Sequence, residues 1–110
     1  MKYLLVLGVI VLAVILVPSV VAQKGDAAAG KALYTSKCAT CHGAAGEGKE
    51  AIAKMMKVEM KHLGSKEVQA KSDADLKKTI GEGGGKMKAV TGLKDAEVAN
   101  LIAYVRTLKK

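Results

Sequence analysis

Both cysteines of the chain lie in one short run, Cys38-Ala39-Thr40-Cys41-His42-Gly43. That run limits how the rest can fold. No cysteine remains to staple distant segments, and the 110 residues include no phenylalanine and no tryptophan. Beyond residue 22, Tyr34 and Tyr104 are the only aromatics. A domain of this size buries little core even with ordinary aromatics, and commonly needs a disulfide, a metal or a cofactor. Composition therefore implies that something other than protein helps to fill this core.

The first residues are not part of that domain. Tyr3 to Val17 (YLLVLGVIVLAVILV) is apolar, with Lys2 ahead and Pro18 behind. A positive start, an apolar stretch and the ending Val20-Val21-Ala22 form a secretory signal. Pro18 breaks a helix just before the cleavage region. Cleavage is expected after Ala22, so residues 1–22 are a signal peptide and residues 23–110 the mature domain. Left uncleaved, Tyr3 to Ala22 is about long enough to span a bilayer as an anchor. Either way the domain is exported, to a compartment where thiols are oxidised or capped.

The periodicities are helical, and no apolar/polar alternation marks a strand. A first helix is expected over about residues 26–37, capped by Asp26, with Gly30, Leu33 and Tyr34 on one face. A glycine inside a helix costs up to about 1 kcal/mol relative to alanine. Gly30 is therefore read as the crossing point of a second helix. A last helix is expected over about 95–108, with a stripe of Val98, Leu101, Ile102 and Val105. A third runs over about 72–81, opened by Ser72-Asp73-Ala74-Asp75 as an approximate capping box and ended by Gly81. A weaker pattern predicts helix over 50–57. The run Gly81, Gly83, Gly84, Gly85 reads as a flexible loop. It lacks the strand and the Lys-Ser/Thr of a phosphate-binding loop.

Cys-x-x-Cys-His reads as a c-type haem attachment site. On a helical turn, residues three apart lie side by side, so Cys38 and Cys41 reach one edge of a porphyrin and each thiol adds to a vinyl group. His42 then sits beneath the iron as the proximal ligand. A carbonyl acceptor is expected for its other ring nitrogen. Two other chemistries use the same residue types. A thiol–disulfide redox pair expects a βαβ setting. A zinc site needs four ligands, and Cys38, Cys41, His42 and His62 would have to supply them.

Opposite the histidine, haem carriers use a methionine thioether. Met55, Met56, Met60 and Met87 compete for that place. The first three lie in apolar or ambiguous stretches, where methionine is more often core filler. Met87 stands between Lys86 and Lys88 after the glycine run, where no packing role is evident.

The chain resembles the small class I cytochromes c, the monohaem type of bacterial periplasms. The resemblance covers residues 23–110. It rests on Gly-Lys-Ala-Leu-Tyr (30–34), CATCHG (38–43), Ser-Asp-Ala-Asp-Leu (72–76), Gly-Gly-Lys-Met-Lys-Ala (84–89), Gly-Leu-Lys-Asp-Ala-Glu-Val (92–98) and Leu-Ile-Ala-Tyr-Val-Arg (101–106). It implies an all-α cytochrome c fold, with three to five short helices around one covalent haem. The first and last helices cross, so that Gly30 and Tyr34 meet Leu101 and Tyr104. The same resemblance implies that Cys38 and Cys41 attach the haem, that His42 is proximal and that Met87 is distal. Two departures stand out. Family members usually carry a proline after the haem motif, whose carbonyl supports the histidine, and often another after the distal methionine. The only proline here is Pro18, and Lys88 follows Met87. His62 or another methionine could then compete for the iron.

With both axial positions filled, the resemblance implies a periplasmic one-electron carrier rather than an enzyme. The alternative is a haem enzyme or gas sensor with a labile sixth ligand. Without Lys2 the chain holds 17 basic and 10 acidic residues, a net charge of +7. That charge favours redox partners with acidic docking surfaces, with an anionic membrane surface as a second candidate. Nucleic acid is excluded by export and by the lack of aromatics among the lysines. The chain is expected to act as a monomer.

Overall fold

The computed structural model describes residues 25–110, so the reading of residues 1–22 as a signal lies outside the described residues. Among the described residues there are six helices, in order α1 (Ala27–Lys37), α2 (Ala39–His42), α3 (Glu50–Met56), α4 (Lys66–Gln69), α5 (Asp73–Glu82) and α6 (Asp95–Thr107). The count exceeds the three to five implied by the resemblance because α2 and α4 are single turns of four residues. No strand occurs among the described residues, and the architecture is all-α. No described helix is long and apolar enough to cross a membrane.

Local chemistry sets the ends. The Asp26 carboxylate accepts from the N–H groups of Ala28 and Ala29 and so starts α1. Ser72 accepts from the N–H of Asp75 and starts α5. At α6 the Glu97 side chain accepts from the N–H of Lys94 at 3.0 Å. The expected stop at Gly81 is corrected: α5 runs on through Glu82 and ends at Gly83, which adopts φ +78°. Gly81 has open space where a Cβ would stand, so nothing there forces an end. The α4 turn was missed because four residues are too short for a period. Its start is nevertheless capped, by Ser65 accepting from the N–H of Val68.

The main packing is α1 across α6. A Cβ on Gly30 would lie 1.9 Å from the Asn100 carbonyl oxygen, so only glycine lets the backbones meet. A Cβ on Gly25 would likewise lie 2.0 Å from the Ala99 carbonyl oxygen, a second close approach. The Asn100 side chain accepts from the N–H of Asp26, fixing α1's start to α6. Beside the crossing, the rings of Tyr34 and Tyr104 meet at 5.0 Å between centroids, tilted by 54°.

Among the described residues the buried apolar ones are few: Tyr34, Val68, Val98, Leu101, Ile102 and Val105. All but Val98 also face one large cavity. The protein core is thus one wall of a cleft and not a closed interior.

Candidate functional site

That cleft has a volume of about 910 Å³. Cofactor clefts run to roughly 300–1,000 Å³. Cys38, Cys41 and His42 line one side; Met56, Met60 and Met87 also border it. Leu63, Val68, Leu76, Ile80, Leu101, Ile102 and Val105 supply apolar wall.

The motif is held by its own turn. Cys38 ends α1, where its N–H donates to the Tyr34 carbonyl at 2.8 Å. The N–H groups of Cys41 and His42 then donate back to the Cys38 carbonyl, at 3.2 and 2.9 Å. Both thiols are free and half-buried. Burial, reinforced by the neighbouring Cys41, pushes the Cys38 thiol up, so it is held protonated.

A third contact comes from outside the motif. The buried Tyr34 hydroxyl donates to the Gly43 carbonyl at 2.5 Å. Desolvation first, then Coulombic interaction with Cys38 and Glu47, pushes that hydroxyl up to about 12. After the turn, the Glu47 carboxylate accepts from the N–H of Ala45 at 2.8 Å. It lies where a side chain on Gly43 (φ +80°) would have to go. The helical pattern shows Tyr34 only as a packing residue, and no sequence signal pairs its hydroxyl with residue 43.

Burial lowers the proton affinity of His42, so its imidazole is neutral and able to ligate. Its Nδ1 is buried and has no hydrogen-bond partner among the described residues. The expected carbonyl acceptor is therefore absent, in keeping with the missing proline. A buried, neutral imidazole beside two free thiols on an apolar cleft fits a covalently tethered haem.

The other candidates separate clearly. His62 does not line the cleft, and its Nδ1 accepts from the N–H of Gly64 at 2.8 Å. Met55 is 72% exposed and does not line the cavity. Met87 borders the cleft, as expected, but so do Met56 and Met60. The glycine run before Met87 is not a loose loop. Gly84 and Met87 pair through two backbone hydrogen bonds of 3.1 and 2.9 Å. Among the described residues no three His, Cys, Asp or Glu side chains gather to hold a metal ion, which removes the zinc arrangement. The βαβ setting of a thiol redox pair is absent from the same residues.

Residues 27–109 match the family described as Cytochrome c. The chain belongs to the cytochrome c family. It is 41% identical over 93 residues to cytochrome c-554(547) of Halothiobacillus neapolitanus, covering 77% of this chain and 99% of that one. It is 32% identical over 109 residues to cytochrome c6 of a Picosynechococcus strain, covering 96% and 92%. Among solved structures it superposes on the KustC0563 c-type cytochrome with a TM-score of 0.65 at 31% identity, over 74% of this chain and 98% of that one. The fold is that of a small monohaem cytochrome c, the cofactor is covalent haem c with its iron, and the protein is a haem-based electron carrier.

Proposed function

We propose that this cytochrome is an exported carrier of single electrons with His/Met axial ligation. Cys38 and Cys41 would form the two thioethers, His42 would bind the iron and Met87 would supply the sixth ligand. The observation that carries this reading is the placement of all four residues around one cleft walled by the core. Haem, when bound, would supply one-electron exchange at its iron. The chain does the rest. The Tyr34 hydroxyl holds the turn after His42, and the apolar wall excludes water. With both axial positions filled, no place remains for a substrate, so the protein is not an enzyme.

Export rests on residues 1–22, which carry the features of a cleaved signal. The destination is the periplasm, and the mature domain begins at Gln23. Intact mass of the denatured protein from a host that matures c-type cytochromes tests this. The expected mass is residues 23–110 plus one haem. Haem on the full-length chain would mean an anchored carrier, and no haem would return the cysteines to thiol chemistry.

The partners are redox proteins with acidic surfaces, met as a monomer at the mouth of the cleft. Among the described residues Lys37, Lys61, Lys71, Lys86 and Lys88 border it, with Glu59 as the one acid. A ring of cations around the haem edge steers acidic partners and exchanges them rapidly.

The ligand assignment is tested by Met87→Ala. Loss of the thioether should lower the reduction potential and open the iron to carbon monoxide or cyanide. An unchanged potential would transfer the role to Met56 or Met60, each testable by the same substitution. Ready ligand binding by the unaltered protein would favour a sensor or enzyme with a labile sixth ligand.

A further inference from the structure

The turn that carries Met87 is anchored firmly on one side only. Upstream, the Gly83 N–H donates to the Thr79 carbonyl at 2.9 Å; downstream, the Val90 N–H donates to the Ile80 carbonyl at 2.8 Å. Both bonds tie the turn to α5. Its tip faces the end of α3 across the mouth of the cleft, and there one contact bridges the gap. The Lys86 ammonium donates to the Met56 carbonyl at 2.5 Å.

The acceptor is free for a specific reason. Helix α3 ends in Lys57, a non-glycine residue in the left-handed conformation (φ 53°, ψ 49°). The N–H of Lys57 turns back to the Lys54 carbonyl and that of Val58 to the Ala53 carbonyl. Both pass over Met56, whose carbonyl receives no backbone N–H among the described residues. A cation is the favoured partner at such a helix end. The turn also needs the support, because Lys88 and not a rigid proline follows Met87.

We propose that Lys86 is a positioning residue that straps the Met87 turn to the end of α3 and so slows departure of the Met87 thioether from the iron. The proposal rests on the reading of Met87 as sixth ligand. Without the strap the turn swings from its α5 anchors, and an outside ligand gains access to the metal.

The test uses the oxidised holoprotein with three substitutions. Lys86→Met keeps the length and removes the donor. Lys86→Arg keeps a donor. Lys78→Met removes the same charge from α5 and takes no part in the strap. Two quantities are read: the rate of imidazole binding at mildly alkaline pH, where the probe is neutral, and hydrogen exchange of the Met87 amide. Lys86→Met should accelerate both by roughly threefold to tenfold, the range of one net hydrogen bond. Lys86→Arg and Lys78→Met should stay near the unaltered protein. A merely structural role would shift the unfolding midpoint without this selective change. Unchanged Met87 exchange in Lys86→Met overturns the strap, whatever ligates the iron. Equal acceleration by Lys78→Met overturns it too, since charge alone would then suffice. Faster exchange with unchanged imidazole binding overturns the reading of Met87 as ligand, and the strap's effect on ligation with it.

Discussion

Tyr34 does two jobs with one side chain. Its ring fills the α1–α6 crossing, and its hydroxyl closes the carbonyl of Gly43, the residue after His42. Tyr34→Phe keeps the first and removes the second. The Gly43 carbonyl would then keep only the long 3.3 Å bond from the Gly46 N–H. A buried group left short of a partner costs about 1–3 kcal/mol. The denaturant midpoint should fall accordingly, with the secondary structure intact. The pH dependence has a definite sign. The folded protein holds the Tyr34 proton up to about 12, whereas an unfolded tyrosine releases it near the ordinary value of 10. Stability from this group is complete below pH 10 and is lost as pH rises towards 12. Tyr34→Phe should flatten that alkaline limb. A variant whose midpoint falls as steeply between those values would show that another group is responsible.

At the scale of elements, two glycines in helices should respond in opposite directions. A methyl at Gly30 meets the Asn100 backbone at 1.9 Å, and backbone cannot move aside without parting α1 from α6. Gly30→Ala should cost about 3 kcal/mol or more, beyond ordinary overpacking. Gly81 lies inside α5 with nothing within 4 Å of its Cβ position. Gly81→Ala should stabilise by about 0.5–1 kcal/mol, through helix propensity alone. Equal effects on the unfolding midpoint would contradict the crossing geometry. These two positions also show what the sequence reveals. Gly30 was legible because it interrupts a face whose period is clear, opposite another helix with a clear stripe. Gly81 misled, because glycine marks a helix end only where a positive φ is required, and that requirement falls at Gly83. The Cys-x-x-Cys-His motif was legible from residue types at fixed spacing; the paired turn before Met87 was not, because a glycine run reads as loose chain. The Tyr34–Gly43 and Lys86–Met56 bonds were not, since each joins segments whose relation exists only after folding. Neither was the wall from Val58 to Leu63, which follows no period at all.

For the whole molecule, charge and core are two aspects of one design. The apolar core is concentrated on the cofactor side, so much of the surface is free to carry lysine. Two ionised haem propionates bring the net +7 of residues 23–110 to about +5 at neutral pH. The excess is not spread evenly. Five lysines and one glutamate border the cleft, and of those lysines only Lys61 is ion-paired among the described residues, to Glu67. Electron exchange through the haem edge should therefore feel a field stronger than the net charge suggests. Small redox reagents of opposite sign read that field without any knowledge of the natural partner. From 10 mM to 200 mM salt, the screening length shrinks from about 30 Å to under 10 Å. The rate with an anionic iron hexacyanide should fall several-fold over that range, while the rate with a cationic cobalt complex should rise. Lys71→Glu with Lys88→Glu should weaken both slopes, because both side chains stand at the mouth. The same two changes made at Lys77 and Lys78 on α5, which do not border the cleft, alter net charge equally. If the two pairs act alike, net charge governs the encounter and the ring of lysines has no directing role. If only the first pair acts, electrons cross where the lysines stand.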